Sequence, residues 1–441
     1  MRFRVERIGK IEKADVELKG ITVIAGENNT GKSTVGKALY CIFNSFYQLD
    51  EQINNTRKIM MRNAIARAFR EDIGVKIEFD LIISEIEEKP IEFSNDNDHN
   101  ELKRLLERHI YITNEEGGDE AIILEDEKAQ KIAHEIQRIR GIPREQIYQR
   151  LLQQWISREF SNEVNYLPHI DNEIGILDLV IKDSTIGVKI KSHEVTHISK
   201  LVPLHTQAVY LDSPFDIDEL SRITEDLYMR RRRFVDFWES RIYNHKDHLI
   251  QRLREKKSQD DVEQVMGDIL VDQRMNKILK KISEACDGEM ELRGLARLSF
   301  RYIGKSGVEI NLANLSTGMK TFVAIKQLLQ NESLEEKGVL ILDEPEVHLH
   351  PEWQILFAEV IVLLQKEYDM HILLTTHSPY FLHAIEVYSA KHRIADRCRY
   401  YLAENVGERA QIKNVTRATE LVYNKLLRPF EILKAEEYRD S

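Results

Sequence analysis

The chain has 441 residues, 42% of them hydrophobic, and a net charge of -11, a size for about two or three domains and a balance that argues against a surface coated in basic charge for nucleic acid, while leaving room for a local patch. Its three cysteines, Cys41, Cys286 and Cys398, form no C-x-x-C pair, so neither a zinc site nor a disulfide framework is indicated, and free thiols fit a reducing cytoplasm. Met1-Arg2-Phe3-Arg4-Val5-Glu6-Arg7 carries charge where a signal peptide needs an apolar core, and no apolar run approaches the ~18 residues of a membrane span. The expectation is a soluble, cytoplasmic protein with no membrane partner.

In chain order, Phe3, Val5 and Ile8, then Ala14, Val16 and Leu18, alternate as strands punctuated by Gly9 and Gly20. Gly20 to Ala25 reads as a short buried strand, and Ser33 to Phe43 as a helix with Val35, Leu39 and Ile42 on one face. From about 45 to 160 the chain is charge-rich and largely helical. Met61, Ile65 and Phe69 share one face, Leu102, Leu105 and Leu106 another, and Ile132, Ile136 and Ile139 a third; Gly141 ends that helix and Pro143 opens the next. Val75 to Leu81 alternates as a strand, and Asn95 to Asn100 reads as a polar loop. Residues 170–215 turn to strand patterns, ending in Gln207 to Leu211 before Asp212-Ser213-Pro214. Two amphipathic helices follow, one carrying Ile223 to Leu253 and one Val262 to Ile282, with spacing near 3.6 rather than sustained heptads. Glu289 to Leu292, Leu298 to Ile303 and Val308 to Leu312 read as strands, and a last helix as Thr416 to Leu433.

Between the first buried strand and its helix lies Gly26-Glu27-Asn28-Asn29-Thr30-Gly31-Lys32-Ser33-Thr34, which fits G-x-x-x-x-G-K-[ST]. Strand, glycine loop and helix is the setting that points backbone N–H groups and the positive end of a helix dipole at a phosphate. Lys32 can reach β- and γ-phosphates, and the Ser33 hydroxyl can ligate Mg²⁺. Val339-Leu340-Ile341-Leu342 suits a central parallel strand that delivers Asp343 to its carboxyl end, where an acid can hold Mg²⁺, with Glu344 next as a base for the attacking water. Leu315-Ser316-Thr317-Gly318 opens a helix, either as a second anion site or as a plain N-cap. Ile372 to Thr376 is an apolar strand that delivers His377 to the same sheet edge as Asp343, either to hydrogen-bond a γ-phosphate or, as a lone histidine after a strand usually is, as a structural residue. His348 and His350 beside Glu346 read as packing and turn residues rather than a metal set. For Arg230-Arg231-Arg232-Arg233 a solvated face, an acidic partner and a DNA contact all remain open.

These four motifs in this order resemble the ABC-type ATPase head. Within that superfamily, Leu342-Asp343-Glu344-Pro345-Glu346-Val347-His348-Leu349-His350-Pro351 and Thr375-Thr376-His377-Ser378-Pro379 are similar to the SMC-like group, which includes the ATPase domains of OLD nucleases and the ATPase subunits of anti-phage systems such as PARIS and Septu. The specific resemblance covers about residues 1–45 and 295–385. It implies an α/β fold: a mixed, mostly parallel sheet with flanking helices, an N-terminal antiparallel β-layer and a large helical insertion. The corresponding division is an ATPase core at 1–48, a mostly helical insertion at 49–160, a β-rich return at 161–215, a helical arm at 216–288, the second part of the core at 289–405 and a C-terminal helix at 406–441.

The resemblance further implies an ATP hydrolase with ATP and Mg²⁺ as cofactors. Gly26 to Thr34 with Ser316 and Gly318 would contact nucleotide, Ser33 and Asp343 the metal, and Glu344 and His377 would be catalytic. Heads would pair around nucleotide, each giving Ser316 and Gly318 to its partner's P-loop. The expected role is the sensor ATPase of an anti-phage system controlling a separate effector such as a nuclease or toxin. The alternative is an SMC-like DNA-maintenance ATPase that clamps nucleic acid. A transporter motor fits worst, because the insertion of about 250 residues between P-loop and signature is too large and too charged.

Overall fold

A computed structural model describes residues 1–88, 96–113, 118–166, 173–221, 244–255, 265–293 and 299–437. The chain opens with β1 (Arg2–Ile8), β2 (Ile11–Glu17) and β3 (Ile21–Gly26). β1 and β2 form an antiparallel hairpin running from Arg2 opposite Glu17 to Ile8 opposite Ile11. Its alternate residues Phe3, Val5, Ala14 and Val16 are fully buried, the period of a sheet with one covered face. β3 is buried at every position, as a strand covered on both faces must be. The P-loop helix, Lys32–Phe46, follows.

Two compact units divide the chain: Gln48–Arg150, and Met1–Tyr47 together with Leu151–Ser441. The smaller unit contains helices Leu49–Ala68, Phe79–Glu88, Asp96–His109 and Asp126–Arg140 and a three-stranded antiparallel sheet in the order β4 (Val75–Ile77), β5 (Ile110–Thr113), β6 (Asp119–Ala121). The alternation over Val75 to Leu81 yields a strand only as far as Ile77. Beyond it, Ile82, Ile83 and Ile86 fall at helical spacing and bury against Leu102, Leu106 and Ile136, so packing turns Phe79–Glu88 into a helix. The polar run from Asp96 is likewise the start of a helix rather than a loop, because Leu102, Leu105 and Leu106 downstream share a buried face.

The larger unit adds β7 (Gly175–Ile181), β8 (Ser184–Lys191), β9 (Glu194–Ile198) and β10 (Ala208–Leu211). A small antiparallel sheet of β11 (Glu289–Arg293), β12 (Ser299–Ile303) and β13 (Glu309–Asn311) follows, then β14 (Val339–Asp343), β15 (His371–Thr376), β16 (Cys398–Val406) and β17 (Arg409–Asn414). One eleven-stranded sheet runs β10-β14-β15-β3-β16-β17-β2-β1-β7-β8-β9. From β10 through β16 all neighbours are parallel, and from β2 through β9 all are antiparallel. This is the expected mixed sheet with its antiparallel layer. The sequence reading contains no strand at β16 or β17, yet β16 is the neighbour of the P-loop strand, and the last helix, Glu420–Glu437, starts after this hairpin.

Helices cover both faces of the parallel half. Val23, Leu340, Leu342 and Leu374 face a core shared with helices Thr317–Gln330, Pro351–Tyr368 and Pro379–Lys391, where Phe322 meets Phe357 edge-on at 5.3 Å and Phe357 stacks near Phe381. On the other face, Gly36 of the P-loop helix packs against Ile341 and Tyr210. Of the amphipathic stretch Ile223 to Leu253 only the part in helix His245–Arg254 is described, and Arg230 to Arg233 lie outside the described residues. All three cysteines are buried and free. Among the described residues, no helix is long and apolar enough to cross a membrane.

Candidate nucleotide-binding and active site

The P-loop is shaped by close approach. A Cβ on Gly26 would fall 2.4 Å from the Ala403 carbonyl oxygen of β16, and one on Gly31 2.4 Å from Ile11 Cδ1. Gly31 also has φ 77, in the left-handed region where a side chain is strained, and serves as N-cap of the P-loop helix. Asn29 tolerates φ 59 as asparagine often does, and its carbonyl accepts from Lys10 Nζ at 2.9 Å. Thr30 Oγ1 donates to the Glu27 carbonyl at 2.8 Å and closes the loop on itself. Glu27, Asn28, Asn29 and Ser33 are exposed and Thr34 half-buried, at the amino end of a helix whose first N–H groups have no partner within it. Lys425 of the last helix approaches Glu27 at 3.3 Å.

Lys32 is buried, with its ammonium turned back over the loop. Nζ donates to the carbonyls of Gly26 at 3.1 Å and Glu27 at 2.9 Å and pairs with Glu344 Oε1 at 3.2 Å. Glu344 faces His377 Nδ1 with its other oxygen at 3.4 Å. The hydrogen bond to His377 and the Lys32 charge hold the Glu344 carboxyl down to about 2 against the opposing effect of burial. The same contact raises His377. Asp343, one residue earlier, is held from both neighbouring strands: Thr375 Oγ1 donates to Oδ1, and Tyr210 Oη donates to Oδ2 at 3.0 Å. Thr375 Oγ1 also accepts from the Glu344 N–H at 3.0 Å, which helps keep Glu344 at φ 49. Glu346, fully buried, accepts from Thr376 Oγ1 and from the His377 N–H at 3.2 Å.

Lys32, Asp343, Glu344 and His377 thus meet at one sheet edge, joined by β3, β14 and β15 in parallel register. Ser316 and Gly318 are held by other contacts. Ser316 is exposed and caps helix Thr317–Gln330, its Oγ accepting from Met319 N–H at 3.4 Å. Gly318 is buried, and a Cβ there would lie 2.9 Å from the Trp353 ring. His348 packs edge-on against Phe215, and His350 is the N-cap residue of helix Pro351–Tyr368. Among the described residues, no three or more His, Cys, Asp or Glu side chains are arranged to hold a metal. Lys10, Tyr210, Thr375, Glu346 and Lys425 are the residues at this site to which the sequence reading gave no role. Thr375 and Thr376 stand inside a motif it used; Lys10, Tyr210 and Lys425 carry no local signal.

The fit to a Mg²⁺-bound nucleotide rests on the glycine cradle, the buried ammonium of Lys32 and the oriented carboxylate of Asp343. A metal bound at a P-loop would need few protein ligands, with phosphate oxygens and water supplying the rest, and Ser33 and Asp343 are the residues here that would hold it.

Comparison with known proteins gives the family. A family model described as an AAA ATPase domain matches residues 3–382. The retron Vc95 probable ATPase of Vibrio cholerae serotype O1 biovar El Tor is 35% identical over 89 residues, covering 18% of this chain and 17% of that protein. The retron Ec83 probable ATPase of Escherichia coli is 29% identical over 157 residues, 31% of this chain and 28% of that one, so the chain spans less than a third of the length of either relative. Among solved structures, the SMC head domain from Thermotoga maritima aligns over 94% of this chain and 98% of its own at 11% identity and a TM-score of 0.37. An SmcHead bound to the C-winged helix domain of ScpA aligns over 95% and 98% at 13% identity, also at 0.37. With 380 residues matched in one continuous span and the P-loop built as a phosphate cradle, the chain belongs to the AAA ATPase domain family.

Proposed function

We propose that this chain hydrolyses ATP in a site that two heads complete together. The observation that carries the reading is the Lys32–Glu344–His377 network at the mouth of the glycine loop. Lys32 is shared between Glu344 and two loop carbonyls. Phosphate oxygens of ATP are stronger acceptors for that ammonium. Nucleotide would therefore draw Lys32 off Glu344, and the carboxylate, relieved of one cation, would become more basic. Glu344 then accepts a proton from the water that attacks the γ-phosphate, and His377 donates to the phosphoryl oxygens. Ser33 and Asp343 would hold Mg²⁺, which neutralises charge on the phosphates when bound. Ser316, exposed at a helix N-terminus, is suited to the γ-phosphate of a second copy, as the resemblance to ABC-type heads implies.

The cellular role we assign is that of a cytoplasmic regulatory ATPase of an anti-phage system acting on a separate nuclease or toxin. The retron naming of two relatives supports it. An SMC-like clamp on nucleic acid is the second reading, favoured by the motif resemblance.

Glu344→Gln tests the site. The amide keeps shape and hydrogen bonding and cannot take a proton. ATP binding should persist, hydrolysis should fall by about 10²-fold or more, and a larger species should accumulate with ATP and not with ADP. Hydrolysis at the wild-type rate would remove Glu344 from the reaction. A mass that stays monomeric by light scattering with ATP, ADP and no nucleotide would remove the paired-head reading; an unchanged dimer mass would make the pairing independent of nucleotide.

A further inference from the structure

We infer that Tyr210 is a positioning residue for Asp343, fixed in place by an ion cluster of buried Glu159 and His245 with half-buried Asp212. The inference rests on the proposed role of Asp343 at the nucleotide's metal.

β10 pairs in parallel with β14, setting Tyr210 beside Ile341 and Leu211 beside Leu342. The phenol is fully buried and crosses to the tip of the neighbouring strand, where its hydroxyl donates to Asp343 Oδ2 at 3.0 Å. It also lies against the backbone of the P-loop helix: a Cβ on Gly36 would be 3.2 Å from its oxygen. One side chain therefore touches both phosphate-related elements. With Thr375 donating to Oδ1 from the opposite strand, the plane of the Asp343 carboxylate is set from both sides. Each oxygen accepts one of these bonds and keeps a further lone-pair direction.

The ring itself is clamped from behind. His245 stacks on it at 4.5 Å between centroids and 27° between planes. Nδ1 of His245 lies 2.6 Å from Glu159 Oε1 and Nε2 lies 2.9 Å from Asp212 Oδ2. The His245 N–H donates to the other oxygen of Glu159 at 3.0 Å. Both ring nitrogens facing carboxylates is the arrangement of an imidazolium, since both must donate. Burial alone would disfavour that charge, but the bonds to Asp212 and Glu159 push His245 up to about 9. A cation over the phenol face attracts the ring and makes its hydroxyl a better donor to Asp343. The Glu159 side chain is fully enclosed, so the Glu159–His245 pair cannot exchange its partners for water without opening the core, whereas Asp212 is half-buried at the rim of the cluster.

The test is Tyr210→Phe in the full chain, which keeps the ring and its stack and removes the O–H. The readout is equilibrium binding of a fluorescent ATP derivative with Mg²⁺ and with EDTA. Affinity in EDTA should stay within about twofold of wild type, and the gain in affinity on adding Mg²⁺ should shrink about tenfold or more, in line with loss of an outer partner of a metal-site carboxylate. Asp343→Asn is the control and should abolish most of that gain. If Asp343→Asn loses the gain and Tyr210→Phe keeps it within twofold, Tyr210 does not position Asp343. If Asp343→Asn also keeps it, the metal role of Asp343 is what fails, and the inference falls with it. Should Tyr210→Phe not fold, Gly36→Ala pushes on the same hydroxyl and should give the same loss of Mg²⁺ dependence; a normal gain there counts against the inference. The double variant Glu159→Gln, His245→Gln tests the clamp. A lowered melting temperature with an unchanged Mg²⁺ gain would make the cluster purely structural.

Discussion

His245 shows how one buried side chain acquires its charge. Glu159 comes from the end of helix Arg144–Glu159 and Asp212 from the turn after β10; Lys246 lies 3.9 Å from both Asp212 and Asp216, and the rings of Tyr40 and Tyr210 close the remaining sides. Desolvation opposes the imidazolium and the two carboxylates outweigh it, leaving His245 at about 9 against an ordinary 6.5. Because the folded value is raised, the stabilisation is complete below pH 6.5 and is lost as pH rises through about 9. A shift of that size corresponds to something on the order of 3 kcal/mol. Urea unfolding at pH 6.5 and pH 9.5 should show a loss of that order in the wild type and a smaller one in His245→Gln, which starts less stable. Equal losses in both would mean that His245 is not the titrating group.

At the scale of elements, a second buried carboxylate ties three helices together. Glu359, in helix Pro351–Tyr368, receives Lys281 from helix Val265–Ile282 at 2.9 Å, Lys391 from helix Pro379–Lys391 at 2.8 Å, and His392 just beyond it at 3.1 Å. Burial pushes its carboxyl up, and the hydrogen bonds from Lys391, Lys281 and His392 overcome this and bring it down to about 2. Since the folded value is depressed, this support is present above an ordinary glutamate value of 4.5 and fades as pH falls toward 2. Glu359→Gln should cost about 1–3 kcal/mol at neutral pH, because it leaves cations facing a neutral amide. Chemical denaturation measures it directly, and a change under half a kcal/mol would show the cluster to be solvent-screened. Nucleotide binding should be unaffected, since Glu359 lies on helices that support β14 and β15 from the side opposite the P-loop helix.

For the whole molecule the question is whether two heads share each site. Lys32 belongs to the site's own chain, whereas Ser316 is exposed at the N-cap of helix Thr317–Gln330 and, in the proposed pairing, would serve another copy. Lys32→Ala and Ser316→Arg should each abolish hydrolysis alone. Mixed together, they should form heterodimers with both defects in one composite site and the other site intact, recovering up to half the activity per dimer. No recovery, with heterodimers demonstrated by mass, would mean that both sites must fire together; recovery without any association would exclude action in trans.

What could be read from the residues alone is local. Gly26 to Thr34 between an apolar strand and a helix, the apolar run into Asp343 and Glu344, and the strand ending at His377 are each legible within about ten residues, because glycine spacing and hydrophobic runs act through nearest neighbours in the chain. Their order sufficed to indicate the mixed sheet. The tertiary structure alone decided which strands lie side by side, since strand order depends on pairings between distant segments. Only the insertion of β16 beside β3 explains why Gly26 admits no side chain. Only the pairing of β10 with β14 brings Tyr210 to Asp343, 133 residues away, and only the folded core brings Glu159 to His245 across 86. In the smaller unit, local alternation at Val75 to Leu81 gave way after Ile77 to a helix, because Ile82, Ile83 and Ile86 fall at helical spacing and join the core of the neighbouring helices.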